Sequence, residues 1–170
     1  MILSVNHFLS GVKYAMKVTI LVGTMTGTAQ LVAQELELAW DDGETQVETL
    51  LMDKLDASVF QRDGVFLVCT STYGQGDIPD NSKALYADLQ AKKPDLSAVR
   101  YGVFSLGDRT YAETFNFGGI KWDKLLETLG AKRIGERVQC DAASGELPEE
   151  RAADWGNGWL DQAKAETAPA

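Results

Sequence analysis

Three short segments of this sequence carry residues that can do chemistry, and each follows an apolar run. They are Gly23-Thr24-Met25-Thr26-Gly27-Thr28, Ser71-Thr72-Tyr73-Gly74-Gln75-Gly76-Asp77 and Leu106-Gly107-Asp108-Arg109-Thr110-Tyr111. The first is suited to holding a phosphate without a positive charge. Successive backbone N–H groups at a helix N-terminus can form a concave nest, with the helix dipole behind them. Threonine hydroxyls add donors. The plain alternative is a Thr-rich helix cap. The segment is not a nucleotide-hydrolysing phosphate loop, because Gly23 and Gly27 stand too close together and no Gly-Lys-Ser/Thr follows. It does not fit GxGxxG either.

The other two segments place Tyr73 and Tyr111 in loops. Either one alone is an ordinary surface tyrosine. Together, two aromatic faces a stack apart can sandwich a planar ring system, and Gly74 and Gly76 let backbone groups approach the ring edge. A phosphate cradle beside two aromatic walls points to a phosphorylated, flat, aromatic ligand.

The elements that must position these loops alternate in type. Val18–Val22 is β-branched and almost wholly apolar, as a buried parallel strand should be. From Thr28 to Trp40, residues Ala29, Val32, Ala33, Leu36 and Trp40 recur at helical spacing. Strands are predicted at Val47–Leu51, Gly64–Cys69, Tyr101–Leu106 and Arg133–Val138. Helices are predicted from Asn81 to Lys92, around Ile120–Leu129 with Gly130 ending it, and from Pro148 through Trp155 and Trp159. Such alternation implies an α/β fold with a parallel sheet and right-handed crossovers. In an open parallel sheet the three loops converge on one edge, where ligands bind.

Composition narrows the partners. The chain has 170 residues, 45% of them hydrophobic, and a formal net charge of −9. One domain of ordinary core content accounts for that length. The acidity disfavours nucleic acid and anionic membranes and favours basic protein partners. Its two cysteines, Cys69 and Cys140, show no CxxC or metal-type spacing, which suits a reducing, cytoplasmic compartment. No run of about 18 apolar residues is present to span a membrane. Residues 1–15 are broken by Asn6, His7, Ser10 and Gly11, and Lys13 lies at the wrong end for a signal peptide. They are expected to be an N-terminal extension without fixed structure. A single domain over residues 16–162 and a frayed tail over 163–170 are expected to follow.

In their order and residues, the three loops resemble those of the flavodoxin family. The likeness is to short-chain, MioC-type members and to the FMN domains of diflavin reductases, and it covers roughly Met16 to Leu160. It implies a flavodoxin-like three-layer fold whose five-stranded parallel sheet has the order 2-1-3-4-5. It also implies an FMN site. Thr24, Met25, Thr26, Gly27, Thr28 and Ala29 would surround the phosphate. Ser71, Thr72, Tyr73, Gly74, Gln75 and Gly76 would hold one face and the redox-active edge of the ring. Leu106, Gly107, Asp108 and Tyr111 would form the other side. Asp108 and Asn116, with Phe115, would help close the site, and Asp141 would touch the ribityl chain or ring edge. Ala112-Glu113-Thr114 makes this stretch one residue longer than in diflavin reductases. No NADPH-binding domain is recognisable after Trp159, and the long insertion of long-chain flavodoxins is missing.

The function implied is that of a low-potential carrier. It would shuttle single electrons, as a monomer, between an NADPH-dependent flavoprotein reductase and acceptor enzymes with basic docking faces. Asp77, Asp80, Asp108 and Asp141, with stacked tyrosine, should disfavour an anionic reduced flavin. Other classes fit less well. A phosphorelay receiver needs an aspartate after its third strand, where Cys69-Thr70 stands. A cysteine phosphatase needs Arg where Gln75 lies, and a Ser-His-Asp hydrolase has only His7 available. An FMN-dependent quinone reductase and an interaction module without FMN remain the alternatives.

Overall fold

Val18, Ile20 and Val22 pack into one hydrophobic cluster, while Leu21 between them packs into the other. The same two-residue alternation separates Leu67 and Cys69 from Phe66 and Val68, and Phe104 and Leu106 from Tyr101 and Val103. Strands buried on both faces need helices on both sides, and this sequence supplies them. The computed structural model describes residues 16–73 and 75–167. The expectations for residues 1–15 and 168–170 therefore lie outside the described residues.

The strands are β1 (Met16–Gly23), β2 (Thr45–Leu51), β3 (Val65–Thr70), β4 (Arg100–Gly107), β5 (Lys132–Arg133) and β6 (Val138–Asp141). The helices are α1 (Thr28–Trp40), α2 (Lys83–Lys92), α3 (Phe117–Thr128) and α4 (Pro148–Thr167). The sheet order is β2-β1-β3-β4-β5, with β6 also on β4, and every ladder is parallel. This is the 2-1-3-4-5 order that the family resemblance implies. Helices α1 and α4 cover one face; α2 and α3 cover the other.

One predicted strand is corrected. Arg133–Val138 is not a continuous strand but two pieces, β5 and β6. Gly135 adopts φ +70°, in the left-handed region, and turns the chain away from the ladder. Ile134 stays buried there, and its carbonyl accepts the Trp159 indole N–H at 3.0 Å instead of pairing along a strand. The last helix reaches into the segment expected to fray, as far as the described residues extend. Ala163 is buried in the α1/α4 core, and α4 continues to Thr167.

Register brings the loops together. Gly23 at the end of β1 pairs with Thr70 at the end of β3, Thr70 with Ser105 of β4, and Gly107 with Asp141 of β6. Four loops therefore leave the sheet side by side along its C-terminal edge, which is where ligands bind in open α/β sheets.

Candidate functional site

The first loop is fixed from behind. Asn81, ahead of α2, accepts the Thr24 N–H on Oδ1 at 2.9 Å and donates through Nδ2 to the Val22 carbonyl at 3.1 Å. Thr24 Oγ1 accepts the Gly27 N–H at 2.9 Å, closing the turn. Among the described residues no side chain caps α1, and its first turn holds no acidic residue. The first N–H groups of a helix have no intrahelical acceptor, and the dipole makes that end electropositive. Thr26 and Thr28 stand at this end and line the cleft. Met25 is 53% exposed, while the Ala29 side chain is buried in the core beneath the helix.

The second loop is a tight closure. Tyr73 N–H donates to the Asp77 carbonyl at 2.8 Å, and the Gly76 and Asp77 N–H groups donate back to Tyr73 O at 3.0 and 2.7 Å. Gly76 needs its φ of +94°, and a Cβ there would come within 2.7 Å of the Phe117 ring. Thr72 Oγ1 accepts the Gly118 N–H at 2.9 Å, tying this loop to α3. Ser71 is buried and Gln75 exposed. Gly74 lies outside the described residues. The Tyr73 phenol crosses to the first loop, where it accepts the Thr26 N–H at 3.1 Å and donates to Thr26 Oγ1 at 3.2 Å.

The third loop begins at Leu106 and Gly107 and turns at Asp108. Asp108 Oδ1 accepts the Thr110 N–H at 2.8 Å, and hydrogen bonding from Thr110 holds this carboxyl below its usual range. Tyr111 follows at a kink in the 109–114 turn, with non-helical φ −104° and ψ 65°, and 64% of its surface is exposed at the cleft mouth. Phe115 does not line the cleft; its ring lies 4.8 Å from the Arg109 guanidinium. Asn116 does not line it either. It is fully buried at φ +59°, with Oδ1 accepting the Ser105 hydroxyl at 2.6 Å. Its side chain shapes the loop from below. Asp141 also turns away: its carboxylate meets Arg109 and the Ala143 N–H.

Between these loops lies a cleft of about 530 Å³, within the usual size for small-molecule sites. Of the residues singled out in the sequence, Thr26, Thr28, Ser71, Thr72, Tyr73, Leu106, Gly107, Asp108 and Tyr111 line it. Thr114, Cys140, Ala142 and Pro148 line it as well and were not expected. Cys140 shows no CxxC or metal-type spacing in the sequence, and Pro148 reads as a helix start. Pairing of β6 with β4 sets Cys140 beside Leu106 at the edge of the cleft. Asn81 was visible only as the start of a helix. Burial pushes the Cys140 thiol up, so it stays protonated.

The donor set fits FMN. An uncapped helix end, hydroxyls and no cation suit a phosphate bound by hydrogen bonds, and two tyrosines, Tyr73 and Tyr111, line the same cleft. Among the described residues, no helix is long and apolar enough to cross a membrane.

Known proteins agree. Residues 20–155 match the Flavodoxin family. Flavodoxin YqcA of Pectobacterium carotovorum is 39% identical over 150 residues, covering 88% of this chain and 99% of that protein. Protein MioC of Escherichia coli K12 is 37% identical, covering 86% and 98%. A solved mutant of flavodoxin from Pseudomonas aeruginosa superposes with a TM-score of 0.75 at 32% identity, covering 88% of this chain and 99% of that one. On its fold, its cleft and these likenesses, the chain belongs to the flavodoxins, the FMN-binding electron carriers.

Proposed function

We propose that this flavodoxin is a stand-alone, low-potential carrier. It takes single electrons from an NADPH-dependent flavoprotein reductase and delivers them to acceptor enzymes with basic docking faces, with no substrate reaction of its own. Bound FMN supplies the redox chemistry, accepting and releasing electrons singly or in pairs. The chain's own residues bind and orient it. Hydroxyls of Thr24, Thr26 and Thr28 and the α1 N–H groups hold the phosphate. Tyr73 and Tyr111 flank the ring, and the backbone around Gly76 faces its edge.

The observation that carries this reading is the make-up of the cleft wall. Among the described residues, no histidine, lysine, arginine or glutamate lines it. Its one carboxyl is held low by hydrogen bonds and its one thiol high by burial. Both shifts run away from neutrality, the opposite of the tuning expected of a general acid or base. Tyr111 at the mouth is open to solvent, which suits close approach of a partner rather than enclosure of a substrate. The acidic setting of the ring is weaker than the sequence suggests. Asp80 pairs with Lys83 at 2.7 Å, Asp77 with Lys121 at 3.8 Å and Asp141 with Arg109 at 3.4 Å. Asp108 lines the cleft and has no cation partner among the described residues, so its charge opposes an anionic reduced flavin without a neighbouring cation to offset it.

The test is the absorption spectrum and turnover of the purified protein. Flavin bands in a one-to-one ratio, released by heat as FMN, are expected. So is the absence of NADPH oxidation until a flavoprotein reductase is added. A colourless protein that refuses FMN would instead support an interaction module. Quinone reduction with NADPH and no reductase would make it an enzyme.

A further inference from the structure

Asp141 ends β6 between two residues that line the cleft, Cys140 and Ala142, yet it does not line the cleft itself. Its carboxylate is engaged elsewhere. Oδ1 accepts the Arg109 N–H and the Ala143 N–H, both at 2.9 Å, and Oδ2 lies 3.4 Å from Arg109 Nε. The carboxylate is 16% exposed, so solvent competes poorly for these bonds. Arg109 is the first residue of the 109–114 turn, and that turn carries Tyr111. Asp108 completes the same turn, accepting the Thr110 N–H on its side chain and the Tyr111 N–H on its carbonyl at 3.0 Å. The Arg109 guanidinium then folds over Phe115, anchoring the far side.

We infer that Asp141 is a positioning residue for the flavin, clasping the Tyr111 turn to the end of β6 so that the tyrosine stands at a fixed place on the cleft. The inference rests on the reading of the cleft as the FMN site. It assigns Asp141 an indirect role in place of contact with the ribityl chain or ring edge. The turn has few other ties: among the described residues, its remaining side-chain hydrogen bonds run within the turn or to the adjacent Asp108. Without the carboxylate, Arg109 N–H and Ala143 N–H both lose their acceptor, and the two loops separate.

Charge is secondary in this device, because Arg109 is 69% exposed and its ion pair is screened. The two backbone N–H bonds do most of the holding. Asp141→Asn keeps an oxygen for both, whereas Asp141→Ala keeps none.

The experiment follows FMN release from the diluted holoprotein, together with bound-flavin fluorescence, in wild type, Asp141→Ala, Asp141→Asn, Tyr111→Ala and the Asp141→Ala/Tyr111→Ala double variant. Asp141→Ala should speed release about tenfold, the combined net size of two lost backbone hydrogen bonds, and raise fluorescence as Tyr111 leaves the ring. Asp141→Asn should stay within about threefold of wild type, since the oxygen acceptor remains. In the double variant, release should match Tyr111→Ala alone, because the clasp then has nothing left to position. If Asp141→Ala speeds release equally with and without Tyr111, Asp141 contacts the flavin or acts on general stability, and the clasp is overturned. It is equally overturned if Asn is as damaging as Ala. Asp141→Ser runs the same cycle should Asp141→Ala not fold. A wild-type protein that holds no FMN would remove the reading of the site and leave no release to measure, an outcome distinct from both.

Discussion

Tyr73 and Thr26 stand 47 residues apart in the chain, and the phenol oxygen of one lies 3.1 Å from the backbone nitrogen of the other and 3.2 Å from its Oγ1. The second loop is therefore tied to the phosphate loop by a side chain whose ring also walls the cleft. One residue does two jobs, and substitution can separate them. Tyr73→Phe keeps the ring and loses the tie. It should retain quenching of bound flavin and weaken FMN by about 0.5–1.5 kcal/mol, the net worth of a neutral hydrogen bond. Tyr73→Ala loses both and should cost about 1–3 kcal/mol more from stacking. Calorimetric titration with fluorescence checks this; equal losses for the two variants would show that the ring contributes nothing.

The nest around Thr26 should discriminate by phosphate. Thr26 presents a hydroxyl and lies at a helix end that no described side chain caps. Thr26→Ala should weaken FMN by about 1.5–3 kcal/mol, as for a hydrogen bond to a charged group. Riboflavin, which lacks the phosphate, should lose much less. Titration of both ligands into both proteins decides it. The loop does not hold the phosphate if the two losses are equal.

The sequence carried the loops better than the frame behind them. Thr24, Thr26, Tyr73 and Tyr111 stand out because each follows a buried apolar run whose end is marked by polar or glycine residues. That local pattern fixes which side of the sheet they leave. The break between β5 and β6 is marked only by Gly135, inside a stretch that otherwise reads as one strand. Ile134 and Val138 continue an apolar rhythm across it, and neither the left-handed conformation of Gly135 nor the bond of the Ile134 carbonyl to Trp159, 25 residues away, is a local signal. The family resemblance implies Asn116 as a residue that helps close the site. Its φ of +59° and its bond to Ser105 turn it inward, and those are tertiary facts. Cys140, Ala142 and Pro148 line the cleft through the pairing of β6 with β4 and the turns after it, which no local pattern announces.

Close packing of α3 on the second loop should be unforgiving. A Cβ on Gly118 would lie 2.3 Å from the Ser71 carbonyl oxygen, a backbone atom that cannot swing aside. Gly118 N–H also anchors Thr72. Gly118→Ala should therefore destabilise the fold by about 1–3 kcal/mol, as overpacking does, and should weaken FMN as the loop is pushed outward. Urea unfolding with a parallel FMN titration tests this. A variant of unchanged stability would contradict the contact.

Acid should weaken the fold through carboxylates that accept hydrogen bonds from nearby turns. Bonds from Glu44 hold Asp42 below its usual 3.8, and bonds from Ser58, Ser97 and Thr110 do the same for Asp56, Asp95 and Asp108. A carboxyl depressed in the native state binds fewer protons there than in the unfolded chain. Its stabilisation is complete above the unfolded value and disappears as pH falls through the native one. The urea midpoint should thus be level near neutrality and fall once pH drops below about 4. Asp108→Asn should make that fall shallower. A midpoint unchanged down to about pH 3 would contradict the assignment.

Docking should depend on salt, but not equally on every acid of the rim. An acidic border around an exposed ring edge steers basic partners through long-range charge, and salt screens that attraction beyond a Debye length of about 8–10 Å. Asp80 is matched by Lys83 at 2.7 Å, so its field at a distance is largely cancelled. Asp77 is matched only loosely, by Lys121 at 3.8 Å. Glu113 is exposed and has no cation partner among the described residues, and it lies on the Tyr111 turn at the cleft mouth. Stopped-flow reduction by a flavoprotein reductase should slow as salt rises. Charge reversal should slow it in the order Glu113→Lys, then Asp77→Lys, then Asp80→Lys, with FMN affinity nearly unchanged in all three. Because electron-transfer complexes are small and transient, the effect belongs in the second-order rate and not in the limiting rate at saturating partner. A rate flat with salt and indifferent to all three reversals would leave the rim as ordinary solvated surface. A salt-dependent rate with Asp80→Lys as the slowest variant would place the docking face on the α2 side of the cleft instead.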